Sequence, residues 1–194
     1  IDMRLRPSGS SGPLVSHIDA FARYQREDAW TWEHQALIRS RAVCGDPALR
    51  KRFAQIRRET LVRPRDRRRL KQDVAAMRRR LRKENPPPEG TYFDLKQGPG
   101  GIVDIEFIVQ YLVLAYACRY PELTRWTDNV RLLVTLIDSG LIDHVTAYRL
   151  RESYLTFRAA VHRHSLQNQP PVVPAAHFQT KRDHVIRAWE KFLG

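Results

Sequence analysis

The sequence has few of the features that mark secreted or membrane proteins. Its 194 residues include only two cysteines, Cys44 and Cys118, which form no C-x-x-C pair, so neither a disulfide framework nor a zinc site is indicated. The one long apolar run, from Phe107 to Cys118, is too short to cross a bilayer. The first residues lack the charged-then-apolar pattern of a signal peptide. We therefore expect a cytoplasmic protein with no membrane association.

Positive charge, by contrast, is abundant and concentrated in one segment. The chain carries a formal net charge of +13, and residues 50–83 contain 16 Lys and Arg against three acidic residues. The other residues are electrically balanced, with 18 basic and 18 acidic side chains. No aromatic residue on which a base could stack lies between Phe53 and Tyr92. We therefore favour a solvated face, or a docking surface for an acidic protein, over nucleic-acid binding.

The apolar pattern is that of a strand at the start of the chain and of helices afterwards. Residues 1–6 alternate apolar and charged side chains, and the charged set is Asp2, Arg4 and Arg6. Further on, apolar residues recur at helical spacing, and a seam that should pack on a neighbouring helix is formed by Leu70, Val74, Met77 and Leu81. The three prolines of residues 85–90 exclude a helix and indicate a stiff hinge. The sequence predicts a mainly α protein, a helical bundle preceded by the terminal strand of a sheet.

The first two helical patterns contain one unusual residue. Ser16 is expected to cap the first helix. The second pattern, over residues 29–43, places Glu33 on an apolar stripe, where a carboxylate needs a partner. We predict structural pairing of Glu33 with Arg39, Arg41 or a cation on another element, rather than catalysis.

A glycine-rich stretch at residues 94–107 contains Lys96, the turn Gly-Pro-Gly-Gly at 98–101, and two acids, Asp104 and Glu106. A helix that begins near Ile102 would direct its positive end at the glycines, which suits a phosphate. The alternative is an ordinary loop into a buried helix, with Asp104 stabilising the first turn. The two acids are two residues apart and should point to roughly opposite sides of that helix.

Four ordered motifs resemble the bacterial glutamine synthetase adenylyltransferase family. Residues 2–9, Asp-Met-Arg-Leu-Arg-Pro-Ser-Gly, look like its last catalytic strand, and residues 30–39 look like the helix that follows. Residues 94–107 and 126–131 look like its helical domain. Within these motifs, Val103-Asp104 and the string Trp30–Leu37 resemble the adding, C-terminal half of that two-halved enzyme.

The resemblance implies an enzyme, a nucleotidyltransferase that moves AMP from ATP onto a tyrosine of glutamine synthetase. It implies Mg²⁺, and regulation by PII protein and glutamine. The implied fold is a polymerase-β-like nucleotidyltransferase domain followed by a helical bundle. We accordingly expect a remnant of the catalytic domain at 1–62, a basic helix and Pro-rich hinge at 63–90, and the helical bundle at 91–194.

The same resemblance implies roles for individual residues. Asp2 would be a catalytic, metal-binding carboxylate, and the candidate nucleotide or phosphate contacts are Arg4, Arg6 and Lys96. The family's other two metal-binding carboxylates belong to a Gly-Ser…Asp-x-Asp pattern that this sequence lacks, so the chain alone is expected to be inactive. The resemblance assigns no role to Asp104 or Glu106. The alternative function is a non-enzymatic helical module that docks glutamine synthetase or PII protein.

Overall fold

The computed structural model describes Gly12, residues 14–86 and residues 91–194. The predicted strand at residues 1–6 lies outside the described residues, and Asp2, Arg4 and Arg6 with it. The described part is mainly α, as predicted. Its elements in chain order are α1 (Ile18–Glu27), α2 (Thr31–Ile38), α3 (Pro47–Leu61), α4 (Arg67–Glu84), β1 (Tyr92–Asp94), α5 (Ile102–Tyr116), a 3-10 turn (Pro121–Thr124), α6 (Asn129–Asp138), α7 (His144–Leu166), β2 (Val172–Pro174), a second 3-10 turn (Ala175–Phe178) and α8 (Gln179–Leu193).

The centre of the bundle is α5. It is apolar on all sides, as expected of a helix surrounded by others, and it contacts α2, α4, α6, α7 and α8. Among its fully buried residues are Ile105, Ile108 and Leu112. Most of the apolar run from Phe107 to Cys118 therefore belongs to the core helix. No helix in the described part of the chain could span a membrane.

Helices from both sides of the Pro-rich hinge share this core. Leu37 of α2 and Val74 of α4 belong to the same buried cluster as Ile105 of α5. The seam predicted on α4 is confirmed at Leu70 and Val74, which are 3% and 0% exposed. The domain boundaries at residues 62 and 90 stay a prediction.

A small sheet joins two segments that the sequence pattern left without a strand. β1 pairs with β2 in antiparallel register, with Phe93 opposite Val173, and both of these side chains are buried. The expectation that the pattern beyond the glycine-rich loop is purely helical is therefore wrong at β2. Strands of three residues are too short to produce a recognisable alternation.

The first two helices differ in detail from their prediction. His17 rather than Ser16 caps α1, since its Nδ1 accepts a hydrogen bond from Asp19 N at 3.3 Å. The second helix ends at Ile38 instead of continuing to residue 43. Among the described residues, no arginine forms an ion pair with Glu33. Its carboxylate instead accepts hydrogen bonds from Trp30 N and from the Tyr24 hydroxyl, both at 2.8 Å. The carboxylate thus caps the start of α2.

Candidate functional site

The glycine-rich loop between β1 and α5 is folded around the side chain of Asp94. Asp94 Oδ1 accepts hydrogen bonds from Lys96 N at 2.7 Å and from Gln97 N at 2.9 Å. Glycine is required at two positions of this loop, at one by lack of space for a side chain and at the other by the backbone conformation. A Cβ on Gly98 would lie 2.5 Å from Asp94 O, and Gly100 has a φ of +82°. The loop is therefore tight, and its shape is set by backbone contacts.

The backbone N–H groups of this loop are all used inside the protein. From Leu95 to Val103, each residue except Pro99 donates its N–H to an oxygen of the described chain. Leu95 N, for example, donates to Pro171 O at 2.9 Å, and Ile102 N donates to Leu95 O at 3.0 Å. A phosphate cradle needs free N–H groups. The loop in this conformation is the structural entrance to α5, the second of the two alternatives that the sequence left open.

Asp104, in the first turn of α5, fastens this loop to α4. Its carboxylate accepts hydrogen bonds from Arg78 Nε at 2.6 Å, from Arg82 Nη2 at 2.8 Å and from Gly100 N at 2.7 Å. Asp104 and Arg78 are 1% and 0% exposed. Arg78 also donates to Gln97 O at 2.7 Å. Removing one member of such a network is destabilising, because it leaves a buried charge without a partner.

Glu106 lies on the opposite side of α5, as the two-residue spacing predicted. It forms an ion pair with Arg39, which directly follows α2. Two longer contacts come from α6 and α7: Asn129 Nδ2 lies 3.5 Å and the Tyr154 hydroxyl 3.4 Å from Glu106 Oε1. Asn129 is 2% exposed, and its Oδ1 has no hydrogen-bond partner among the described residues. Glu106 thus joins four helical segments at one carboxylate.

Three of the four motifs behind the family resemblance meet at this point. Arg39 ends the motif at residues 30–39, Glu106 belongs to 94–107, and Asn129 belongs to 126–131. The last motif is fixed by two further contacts. The guanidinium groups of Arg125 and Arg131 lie over the ring of Trp126, at 4.6 Å and 4.4 Å from its centre. These cation–π contacts stabilise the segment that leads into α6, and Trp126 also packs against the core.

Arg57 of α3 links the same segments through their backbone. Its guanidinium group donates to Leu37 O at 3.0 Å and also to the carbonyl groups of Ile38, Thr124 and Trp126. The side chain is buried, and this burial lowers the pKa of Arg57 from its ordinary value. Four carbonyl acceptors satisfy the donors that burial removes from water. Arg57 therefore closes the end of α2 and positions the segment that leads into α6.

The predicted site residues fall into two groups. Lys96 lies in the glycine-rich loop, exposed to solvent, with its backbone fixed by Asp94. Asp2, Arg4 and Arg6 lie outside the described residues, so their distance from Lys96 is not defined. In the part of the chain that the structure describes, no group of three or more His, Cys, Asp or Glu side chains could hold a metal ion.

The sequence reasoning missed the arginines that build the scaffold. Arg78 and Arg57 lie in the basic segment that was predicted to be a solvated face, and both are buried. For Arg78 a signal was present. It follows Leu70 and Val74 at four-residue steps and therefore lies on the apolar stripe of α4. An arginine on such a stripe needs a buried acid, and Asp104 is that acid.

Comparison with known proteins places this scaffold in a family. Residues 1–56 match the family model described as glutamate-ammonia ligase adenylyltransferase, and residues 53–170 match the model described as GlnD PII-uridylyltransferase. The bifunctional glutamine synthetase adenylyltransferase/adenylyl-removing enzyme of Thioalkalivibrio sulfidiphilus (strain HL-EbGR7) is 47% identical over 193 residues. The aligned region covers 100% of this chain. The chain belongs to the glutamine synthetase adenylyltransferase family.

Membership in this family confirms the resemblance drawn from the four motifs. The chain spans only 20% of the length of the relative that it matches. The second family model extends from within α3 to beyond the end of α7. The sequence of the bundle around Asp104 and Glu106 is therefore also similar to the family described as GlnD PII-uridylyltransferase.

Proposed function

We propose that this chain is part of an enzyme that transfers AMP from ATP to a tyrosine of glutamine synthetase. The observation that carries the proposal is the 47% identity to an adenylyltransferase of glutamine synthetase along the whole chain. Within that enzyme the described bundle acts as the scaffold beside the catalytic domain. Its buried ion pairs fix the glycine-rich loop, and with it the backbone of Lys96, at a defined place on the surface.

In this proposal the chemistry depends on residues at the start of the chain and on Lys96. Asp2 serves as a catalytic carboxylate and a ligand of Mg²⁺, which supplies charge neutralisation and orientation in phosphoryl transfer. Arg4 and Arg6 contact phosphate groups of ATP. Lys96, a compact and exposed cation, adds a further phosphate contact from the bundle.

The regulatory and cellular context is proposed on the family relationship. The name of the relative includes glutamine synthetase, which supports that protein as the partner. PII protein and glutamine are proposed to control the reaction, in line with a role in nitrogen metabolism. The chain is proposed to come from the adding, C-terminal half of a multifunctional, cytoplasmic enzyme. Val103-Asp104 and Trp30–Leu37 support that assignment through their resemblance to this half.

A second candidate is a docking role for the bundle, without chemistry of its own. Many arginines of residues 50–83 are exposed, among them Arg68, Arg79 and Arg80. An acidic surface of glutamine synthetase or PII protein could bind there through complementary charge. Salt-sensitive binding by the chain in the absence of nucleotide would favour this role, whereas a strict requirement for ATP would favour the first.

The residue roles are tested by AMP transfer with the full-length enzyme. Lys96→Ala should raise the KM for ATP while the fold, followed by circular dichroism, stays unchanged, because the Lys96 side chain is exposed. Lys51→Ala, which removes the same charge from an exposed position on α3, is the matched control and should leave the KM for ATP unchanged. An unaltered KM in the Lys96 variant would limit the loop to a structural role.

A further inference from the structure

A polar cavity of about 360 Å³ lies where the end of α1, the start of α2 and the turn between α3 and α4 meet. Its wall contains two acids that are already engaged. Asp66 Oδ1 accepts from Arg69 N at 2.9 Å and caps α4, and Asp73 Oδ2 accepts from the Thr31 hydroxyl at 2.9 Å. Four arginines line the cavity and give it a surplus of positive charge: Arg26, Arg63, Arg65 and Arg69.

Two of these arginines are held in place by backbone carbonyl groups. Arg63 Nη1 donates to Arg26 O at 2.9 Å, and Arg65 donates to Leu61 O at 3.0 Å and to Thr60 O at 2.9 Å. None of the four cavity arginines forms an ion pair with a carboxylate in the described part of the chain. A carbonyl group fixes a guanidinium group without cancelling its charge. The cavity therefore contains oriented cations in excess over its two carboxylates, Asp66 and Asp73.

The neighbouring histidine, His34, is partly buried beside two of the same arginines. His34 Nε2 lies 3.1 Å from Gln25 O, so it carries the ring proton, and Nδ1 lies 3.5 Å from Arg65 Nη2. Burial, followed by the charges of Arg65 and Arg63, lowers the pKa of His34 to about 4, although its hydrogen bond to Gln25 acts in the opposite direction. Burial and the charge of Arg63 lower the pKa of Arg65 to about 10. A bound anion would reduce the electrostatic repulsion between Arg63 and Arg65.

We propose that this cavity binds a small ligand that carries a chain of phosphate groups. Arg63 and Arg65 present pre-oriented donors, which reduces the entropy lost on binding, and the forked geometry of a guanidinium group matches phosphate oxygens. The exposed side chains of Arg26 and Arg69 complete the site from its rim. The volume falls in the range of small-molecule sites and is too small for a nucleic-acid duplex. The site does not depend on the proposed AMP transfer.

The test is calorimetric titration of the full-length protein with inorganic tripolyphosphate in the absence of divalent cations. The unaltered protein should bind tripolyphosphate at this one site in each chain. The rim variant Arg26→Gln/Arg69→Gln should bind it at least tenfold more weakly. The matched control, Arg50→Gln/Arg79→Gln, removes two exposed charges outside the cavity and should change the affinity less than twofold. Circular dichroism of both variants checks that they are folded.

Three results would overturn the proposal. Equal weakening in the two double variants would show a response to overall charge, and the absence of saturable binding would show that no site exists. A parallel titration with ATP and with adenosine identifies the group that is recognised. Besides binding at the proposed catalytic site, ATP should show a component of binding that depends on Arg26 and Arg69, and adenosine should show no such component. Adenosine binding that depends on Arg26 and Arg69 as strongly as ATP binding does would contradict recognition of the phosphate chain.

Discussion

The substitution Asp104→Asn tests whether the buried ion pairs between α4 and α5 hold the bundle together. Asp104 accepts three hydrogen bonds and is 1% exposed, while Arg78, its closest partner, is 0% exposed. An asparagine keeps the size of the side chain but removes its charge and presents an N–H₂ group to donors. Arg78 would then be a buried cation without a counter-charge. Breaking such a pair on one side costs about 3–5 kcal/mol of the free energy of unfolding.

The assay is urea unfolding of the purified 194-residue chain, followed by far-ultraviolet circular dichroism. Asp128→Asn is a matched control, because Asp128 is a half-exposed cap of α6 and asparagine caps helices equally well. The control substitution should lower the free energy of unfolding by less than about 0.5 kcal/mol. If Asp104→Asn lowers the free energy of unfolding by less than about 1 kcal/mol, the buried ion pair is not a main source of the stability of the bundle.

A double-mutant cycle separates the pair from its surroundings. Asp104→Leu combined with Arg78→Met removes both buried charges, so neither is left without a partner. We expect the double variant to be less destabilised than the sum of the two single variants. Additive losses would show that Asp104 acts mainly through its other partners, Arg82 and Gly100.

Three further predictions concern the loop, the effect of pH and the scope of the chain's activity. Gly100→Ala should cost more of the free energy of unfolding in urea than Gly140→Ala. Both glycines have a positive φ, but only at Gly100 would the new Cβ lie 2.9 Å from Arg182 O; equal costs would contradict the clash. The folded-state pKa of His34 is about 4 against an ordinary 6.5, so the unfolded state takes up a proton first and stability should fall as pH decreases from about 6.5 to 4. His34→Gln should flatten the plot of Tm against pH in that window, and an unchanged slope would refute the assignment to His34. The 194-residue chain alone should not transfer labelled AMP to glutamine synthetase, since Asp2 cannot build a two-metal site by itself, and measurable transfer would refute this.

The sequence predicted those parts of the fold that depend on local pattern. The apolar run after residue 107 identified the core helix, the spacing of Leu70 and Val74 identified the packed side of α4, and the spacing of Asp104 and Glu106 placed the two acids on opposite sides of α5. Each of these features follows from the helical period, which can be read within a few turns.

The parts that the sequence did not predict depend on contacts between distant residues. The loop could not be judged as a phosphate cradle until the partner of each N–H group was known, and one of those partners, Pro171, is far along the chain. The same is true of the pairing of β1 with β2 and of the link between Arg57 and Trp126. The helical period carries no information about such contacts, so several partners were equally compatible with the sequence.

The most direct test of the central proposal is transfer of labelled AMP from ATP to glutamine synthetase by the full-length protein, with and without Asp2→Asn. The proposal predicts that the unaltered protein labels a tyrosine of glutamine synthetase and that the variant, folded to the same extent, does not. Near-normal labelling by the Asp2 variant would remove this residue from the metal site. No labelling by the unaltered full-length protein would contradict the assignment as an adenylyltransferase of glutamine synthetase.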